Sequence, residues 1–202
     1  MTASTTGPTP RAAAIVVAGG SARRMGGVDK LAIEVGGRTL LDRVLAAARP
    51  LCDELVVVGP TRPTTVDGTA FTIEDVPGGG PVPAVAAGLA QVDEASTIVL
   101  LAADLPLLTT GHVERLLEAV SDPSVDAAAA VDELGRDHPL LAAHRGPALR
   151  TRLDGLGPDL RGLPATRLLP PTTVTVHLDP EATMNVNRPA DLERVRALIG
   201  AP

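Results

Sequence analysis

Two uninterrupted aliphatic runs constrain this chain more than anything else in it: residues 12–18 (AAAIVVA), which lead into Gly19, and residues 97–103 (TIVLLAA), which end at Asp104. A strand with one wet face alternates apolar and polar side chains, so a run without alternation must be covered on both faces. Short runs of this kind are the interior strands of a parallel sheet with helices on either side. Helical patterns stand between them. Thr39 can cap a helix in which Leu40, Leu41, Val44, Leu45 and Ala48 form one apolar stripe, and residues 55–58 read as the next strand. A shorter strand is expected over 71–74, a break over 78–83 and a helix over 84–91. Beyond Asp104, Thr110 can cap a helix with Val113, Leu116, Leu117 and Val120 facing inward.

Strand and helix in alternation predict an α/β fold, a three-layer, doubly wound, mostly parallel sheet with right-handed crossovers. Ligands of such sheets bind beyond the carboxyl ends of the strands, and Gly19, Asp75 and Asp104 all fall at such ends. The second half is less regular. Residues 127–131 and 140–144 read as strands flanking a polar connection over 133–139, and 155–171 as loop with short helix. Residues 172–178 alternate as a strand, and a last helix starts at Pro189, turns Leu192, Val195 and Leu198 inward and stops at Gly200. A length of 202 residues suits one domain, over 11–202, after a Ser/Thr/Pro-rich tail expected to be disordered over 1–10.

Charge and composition remove several functions. A net charge of -6 argues against a nucleic-acid backbone as partner, and with no Trp, no Tyr and only Phe71 there is no aromatic platform for stacking bases. The single cysteine, Cys52, excludes an intramolecular disulfide and a cysteine-based zinc cluster. No apolar run approaches the roughly 18 residues of a spanning helix, and the first ten residues lack the apolar centre of a signal peptide. The expectation is a cytoplasmic protein with no membrane partner.

The loop over 19–30 (GGSARRMGGVDK) packs four glycines, two arginines and a lysine behind the first strand. Glycines let backbone N–H groups turn toward an anion, and Lys30 and the arginines offset its charge, so the loop suits a polyphosphate. It is not a Walker loop, because five residues separate Gly20 from Gly26 and Leu31 follows Lys30, and the G-x-G-x-x-G dinucleotide spacing is absent too.

Read from Val17, the segment V-A-G-G-S-A-R-R-M-G-G-V-D-K resembles the signature of the MobA-like nucleotidyltransferases, the family of the molybdenum cofactor guanylyltransferases, written loosely L-A-G-G-x-x-x-R-M-G-x-x-K. Further blocks recur in order, and the resemblance runs from Ala14 to Leu192. It implies a nucleotide-diphospho-sugar transferase-like Rossmannoid fold. It also implies transfer of GMP from GTP to molybdopterin, or its molybdenum form, with release of pyrophosphate and with Mg²⁺ as cofactor. Asp104, in A-A-D-L-P, would be the metal ligand, and Ala18, Gly19, Gly20, Ser21 and Lys30 would hold phosphates. Arg24 would offset charge on the leaving pyrophosphate. Asp75 would touch the nucleotide, and Gly80 and Pro81 open a block resembling G-P-L-A-G-x-x-x-G-L that helps read the base, although Pro83 and Ala84 depart from it. Arg136, Asp137 and His138, with Pro139, match an R-D-H-P block and would meet the acceptor, as would Asn185 and Asn187 of N-x-N-x-P.

Taken without the resemblance, Asp75 and Asp104 suit turns, residues 136–138 a solvated turn, and Asn187 the cap of the last helix. His112, His144 and His177 read as structural or exposed, and Cys52 as core. Alternatives within the class are a cytidylyltransferase or a transferase for another phosphorylated acceptor; outside it stands a nucleotide-binding protein without turnover. The family also implies transient contact with molybdoenzyme maturation proteins.

Overall fold

Both aliphatic runs are central strands. In the computed structural model, which describes residues 12–19, 29–92 and 95–200, β1 (Ala12–Val17) lies between β4 (Glu54–Val58) and β6 (Thr97–Ala102), parallel to each. All six residues of β1 are buried. Ala14 and Val16 pack with Leu41 and Leu45 of α1 (Leu40–Ala48) and with Val113 and Leu116 of α3 (Thr110–Val120). Ala13, Ile15 and Val17 face the opposite layer, with Val82, Val85 and Leu89 of α2 (Pro81–Leu89) and Leu149 and Leu153 of α4 (Gly146–Asp154). A helix layer on each face is why the strand carries no polar alternation.

The sheet has seven strands in the order β5, β4, β1, β6, β8, β7, β9, where β5 is Thr69–Thr72, β7 Ala127–Val131, β8 Asp137–Arg145 and β9 Thr173–His177. Only β8 runs against its neighbours, β6 and β7. Its link to β7 is a short turn, which can join antiparallel strands but not parallel ones. A small hairpin of β2 (Glu34–Val35) and β3 (Arg38–Thr39) precedes α1. Val35 and Leu40 join Val186, Leu192 and Val195 in a third cluster under α5 (Pro189–Ile199). None of the described helices is long and apolar enough to cross a membrane.

Several sequence expectations shift by a few residues, each for a local reason. The cap of α3 is Thr109, not Thr110: its hydroxyl accepts from His112 N while His112 Nδ1 accepts from Thr109 N. α2 starts at Pro81 rather than at residue 84, since Gly80 at φ 106 turns the chain and proline suits a first helical turn. The strand expected over 71–74 is β5, which ends at Thr72. The polar connection reaches only to residue 136, because β8 begins at Asp137 and takes up Pro139 in a bulge where the register passes from Ala142 to His138. Leu198 is 46% exposed, so α5 is anchored by Leu192 and Val195 alone of the three. Helix α4 has no counterpart in the sequence reading. Asn187 does not cap α5, because Asp191 accepts from the backbone N–H groups of both Asn187 and Arg188. The tail over 1–10 lies outside the described residues.

Candidate active site

From β1 the chain winds to β4 and β5 on one side, then returns to β6 on the other, so the crevice between the carboxyl ends of β1 and β6 is the switch point of the sheet. Ala18 and Gly19 leave β1 there, and Ala103 and Asp104 leave β6. Ala18 N donates to Val58 O (2.8 Å) and Ala103 N to Val17 O (3.0 Å), so both exits keep the register of the sheet.

Lys30 returns to this point from the loop. It opens a short 3-10 turn, Lys30–Ala32, that Asp29 caps through Leu31 N at 3.2 Å. Its Nζ donates to Asp104 Oδ2 at 2.6 Å, to Val186 O at 2.9 Å and to Asn187 Oδ1 at 3.2 Å. The Val186 amide in turn donates to Asp104 O at 3.0 Å, so the segment before α5 is stitched to the β6 exit through its backbone. The ion pair is shielded but open to the crevice, with side chains 20% and 17% exposed.

Around it lies a cavity of about 480 Å³, within the range of small-molecule sites. Asp29, Lys30 and Asp104 line it with Asn185 and Asn187, and Leu140 of β8 forms part of its wall. Arg62, beyond β4, also lines it and donates from Nε to Asp29 Oδ2 at 2.6 Å. Arg62 and Asp29 had no role in the sequence reading; the signal that could have found Arg62 is its place just past the carboxyl end of a strand.

Other expected site residues stand elsewhere. Asp75 is exposed and lines a separate cavity of about 530 Å³ with Thr72, Pro83 and Arg161. Gly80 and Pro81 form the start of α2 and line neither cavity. Gly88, in the same block, serves packing: a Cβ there would sit 2.5 Å from Ile15 Cγ2. Arg136 is exposed on the turn between β7 and β8, where its Nε donates to Asp132 Oδ2 at 2.8 Å. Asp137 is exposed as well, and His138 Nε2 stands 3.8 Å from Asp132 Oδ2. Bonds from the Arg136 backbone and side chain hold the Asp132 carboxyl down at about 2. Gly20, Ser21 and Arg24 lie outside the described residues.

Among the described residues no three His, Cys, Asp or Glu side chains come together as a metal-binding group.

A doubly wound sheet whose switch-point crevice is lined by a strand-end glycine, a lysine and a strand-end aspartate is the architecture of an α/β nucleotidyltransferase. The chain belongs to the MobA-like NTP transferase family, whose domain model matches residues 14–168. A molybdenum cofactor guanylyltransferase of Rhodopseudomonas palustris (strain BisB5) is 39% identical over 140 residues, 66% of either protein. Another, of Rhodopseudomonas palustris (strain HaA2), is 35% identical over 199 residues, 94% of this chain and 92% of the relative. Among solved structures, the Rv0371c homologue from Mycobacterium sp. strain JC1 superposes with a TM-score of 0.74 at 23% identity, covering 95% of this chain and 98% of that one.

Proposed function

We propose that the protein transfers GMP from GTP to molybdopterin or its molybdenum form, releasing pyrophosphate and leaving the guanine dinucleotide form of the cofactor. The names of the curated relatives support the substrates. The observation that carries the chemistry is the meeting of Lys30 with Asp104, Val186 O and Asn187 at the carboxyl ends of β1 and β6. The proposed setting is the cytoplasm, and the net charge of -6 speaks against nucleic acid as a partner.

An oxygen of the acceptor's phosphate forms a bond to the α-phosphorus of GTP as the bond from that phosphorus to the α,β-bridging oxygen breaks, and pyrophosphate leaves. The attacking phosphate is already anionic, so the protein supplies no general base and no covalent intermediate. Its work is alignment and charge stabilisation. Lys30 binds phosphate oxygens, and Asn187 with the Val186 carbonyl fixes its ammonium. Gly19, and in the same reading Gly20 and Ser21, present backbone N–H groups to the phosphates, while Arg24 meets the pyrophosphate. Asp104 would hold Mg²⁺, which when bound neutralises triphosphate charge. In the same reading Asp75, Gly80 and Pro81 would serve the nucleoside, and Arg136, Asp137, His138 and Asn185 would meet the acceptor.

Pyrophosphate release with molybdopterin and Mg²⁺, measured for GTP, CTP, ATP and UTP in turn, tests this reading. A clear preference for GTP is expected, because a pocket matched to the guanine edge leaves its own polar groups unpaired by other bases. Equal or faster reaction with CTP would replace the guanylyl reading with the cytidylyl one. No release with any triphosphate would make the protein a nucleotide binder.

A further inference from the structure

Arg62 offers more donors than its surroundings use. A guanidinium carries five N–H donors. One, at Nε, goes to Asp29 Oδ2 and another, at Nη1, goes to Pro60 O at 2.9 Å. Among the described residues the other three meet no acceptor, although the side chain is only 14% exposed and lines the cavity that holds Lys30 and Asp104. Its partner is the wetter of the two, since the Asp29 side chain is 45% exposed. Water can therefore solvate Asp29 if Arg62 leaves it, whereas Arg62 gains most from a new anion inside the cavity.

The segment carrying Arg62 is held in place. Asp42, buried in α1, accepts from Thr64 Oγ1 at 2.5 Å and from Thr65 Oγ1 at 2.9 Å, which pins the chain just past Arg62 to the helix layer. Position across the sheet then says which substrate Arg62 faces. Along the active edge the residues follow strand order: Asp75 beyond β5, Arg62 beyond β4, Gly19 beyond β1, Asp104 beyond β6, and then β8 with the turn that precedes it. Arg62 stands on the glycine-loop flank, across the crevice from Arg136 and His138. Among the described residues the charged groups of the cavity wall, Asp29, Lys30, Arg62 and Asp104, sum to zero, so a cation released from its resting partner would favour a triphosphate there.

We infer that Arg62 is a further cationic ligand for the phosphates of the donor nucleotide, held against Asp29 until the nucleotide arrives. This rests on the reading of the crevice as a triphosphate site. The test is calorimetric binding of GTP with Mg²⁺ to the full chain and to Arg62→Ala, Asp29→Asn and Lys30→Ala, each first checked for a parental melting temperature. Arg62→Ala weakens GTP about tenfold, and Asp29→Asn, which keeps the cap of Leu31 N but frees the guanidinium, binds GTP at least as tightly as the parent. Equal weakening in Arg62→Ala and Asp29→Asn would make the pair a structural staple and overturn the inference. Parental binding by Arg62→Ala beside a weakened Lys30→Ala would overturn it too, while leaving the triphosphate site standing. Parental binding by both Arg62→Ala and Lys30→Ala would remove the site itself and the inference with it.

Discussion

The cluster around Lys30 and the turn between β7 and β8 sit on the same edge of the sheet and are built in opposite ways. Lys30 reaches partners 74, 156 and 157 residues away in sequence, so its geometry exists only when β1, β6 and the segment before α5 are all docked. The turn is self-sufficient: Asp132 accepts from Leu134 N and from the backbone and side chain of Arg136, all within four residues. A site assembled from distant parts reports on the integrity of the whole sheet, and a locally bonded turn can change without disturbing it. In the proposed reaction, phosphate chemistry would use the first arrangement. Recognition of one particular acceptor would suit the second.

Acid should separate the packed sheet from the turn most. His144 of β8 is buried with no hydrogen-bond partner for Nε2 among the described residues, and burial pushes its imidazole down to about 4. An unfolded chain takes up that proton near 6.5 while the folded one resists until about 4, so stability is whole above that window and falls as pH drops through it. The loss amounts to about 3 kcal/mol by the low end. Asp132 behaves differently: its carboxyl sits at about 2 against an ordinary 3.8, so the turn keeps its bonds through that window and loses support only as pH falls toward 2. Urea denaturation from pH 7 to 4 should show a steep decline for the parent and a shallower one for His144→Leu. Matching slopes would place the acid sensitivity elsewhere.

Next in size is Asp104→Asn, which keeps shape and removes charge. Turnover should fall about a hundredfold, roughly 2.7 kcal/mol of transition-state stabilisation, with a melting temperature near the parent's. A large drop in melting temperature with activity intact would make Asp104 a structural partner of Lys30 instead. Smaller again is Arg136→Ala, for which KM for the acceptor should rise about fivefold while KM for GTP and the melting point hold. A change in KM for GTP would dissolve the contrast between the two regions. Asp132→Asn should move the acceptor KM by less than about threefold, because the backbone of the turn keeps its other ties.

The first half of the fold was legible because periodicity and burial agree there: β1, β4, β6, α1 and α3 each carry an uninterrupted run or a clean stripe. Helix α4 escaped because only Leu149 and Leu153 bury well among polar neighbours, and its opening Gly146 and Pro147 look like a break. Gly146 is there for space, since a Cβ on it would lie 2.2 Å from Ala95 O. In the candidate site, Lys30, Asp104 and Asn187 stand out as motif residues. Arg62 belongs to no motif, and Val186 contributes a carbonyl, which every residue has and no sequence pattern can announce.

That carbonyl also sets an order of events during synthesis. Ribosomes make Lys30 before any strand of the sheet beyond β1, the family match is complete by residue 168, and yet Val186 and Asn187 follow only after the last strand of the sheet, β9. A nascent chain that already carries the sheet would hold the lysine through Asp104 alone, without the Val186 and Asn187 bonds. Arrival of the segment past β9, rather than completion of the sheet, is the moment at which the lysine becomes fully fixed.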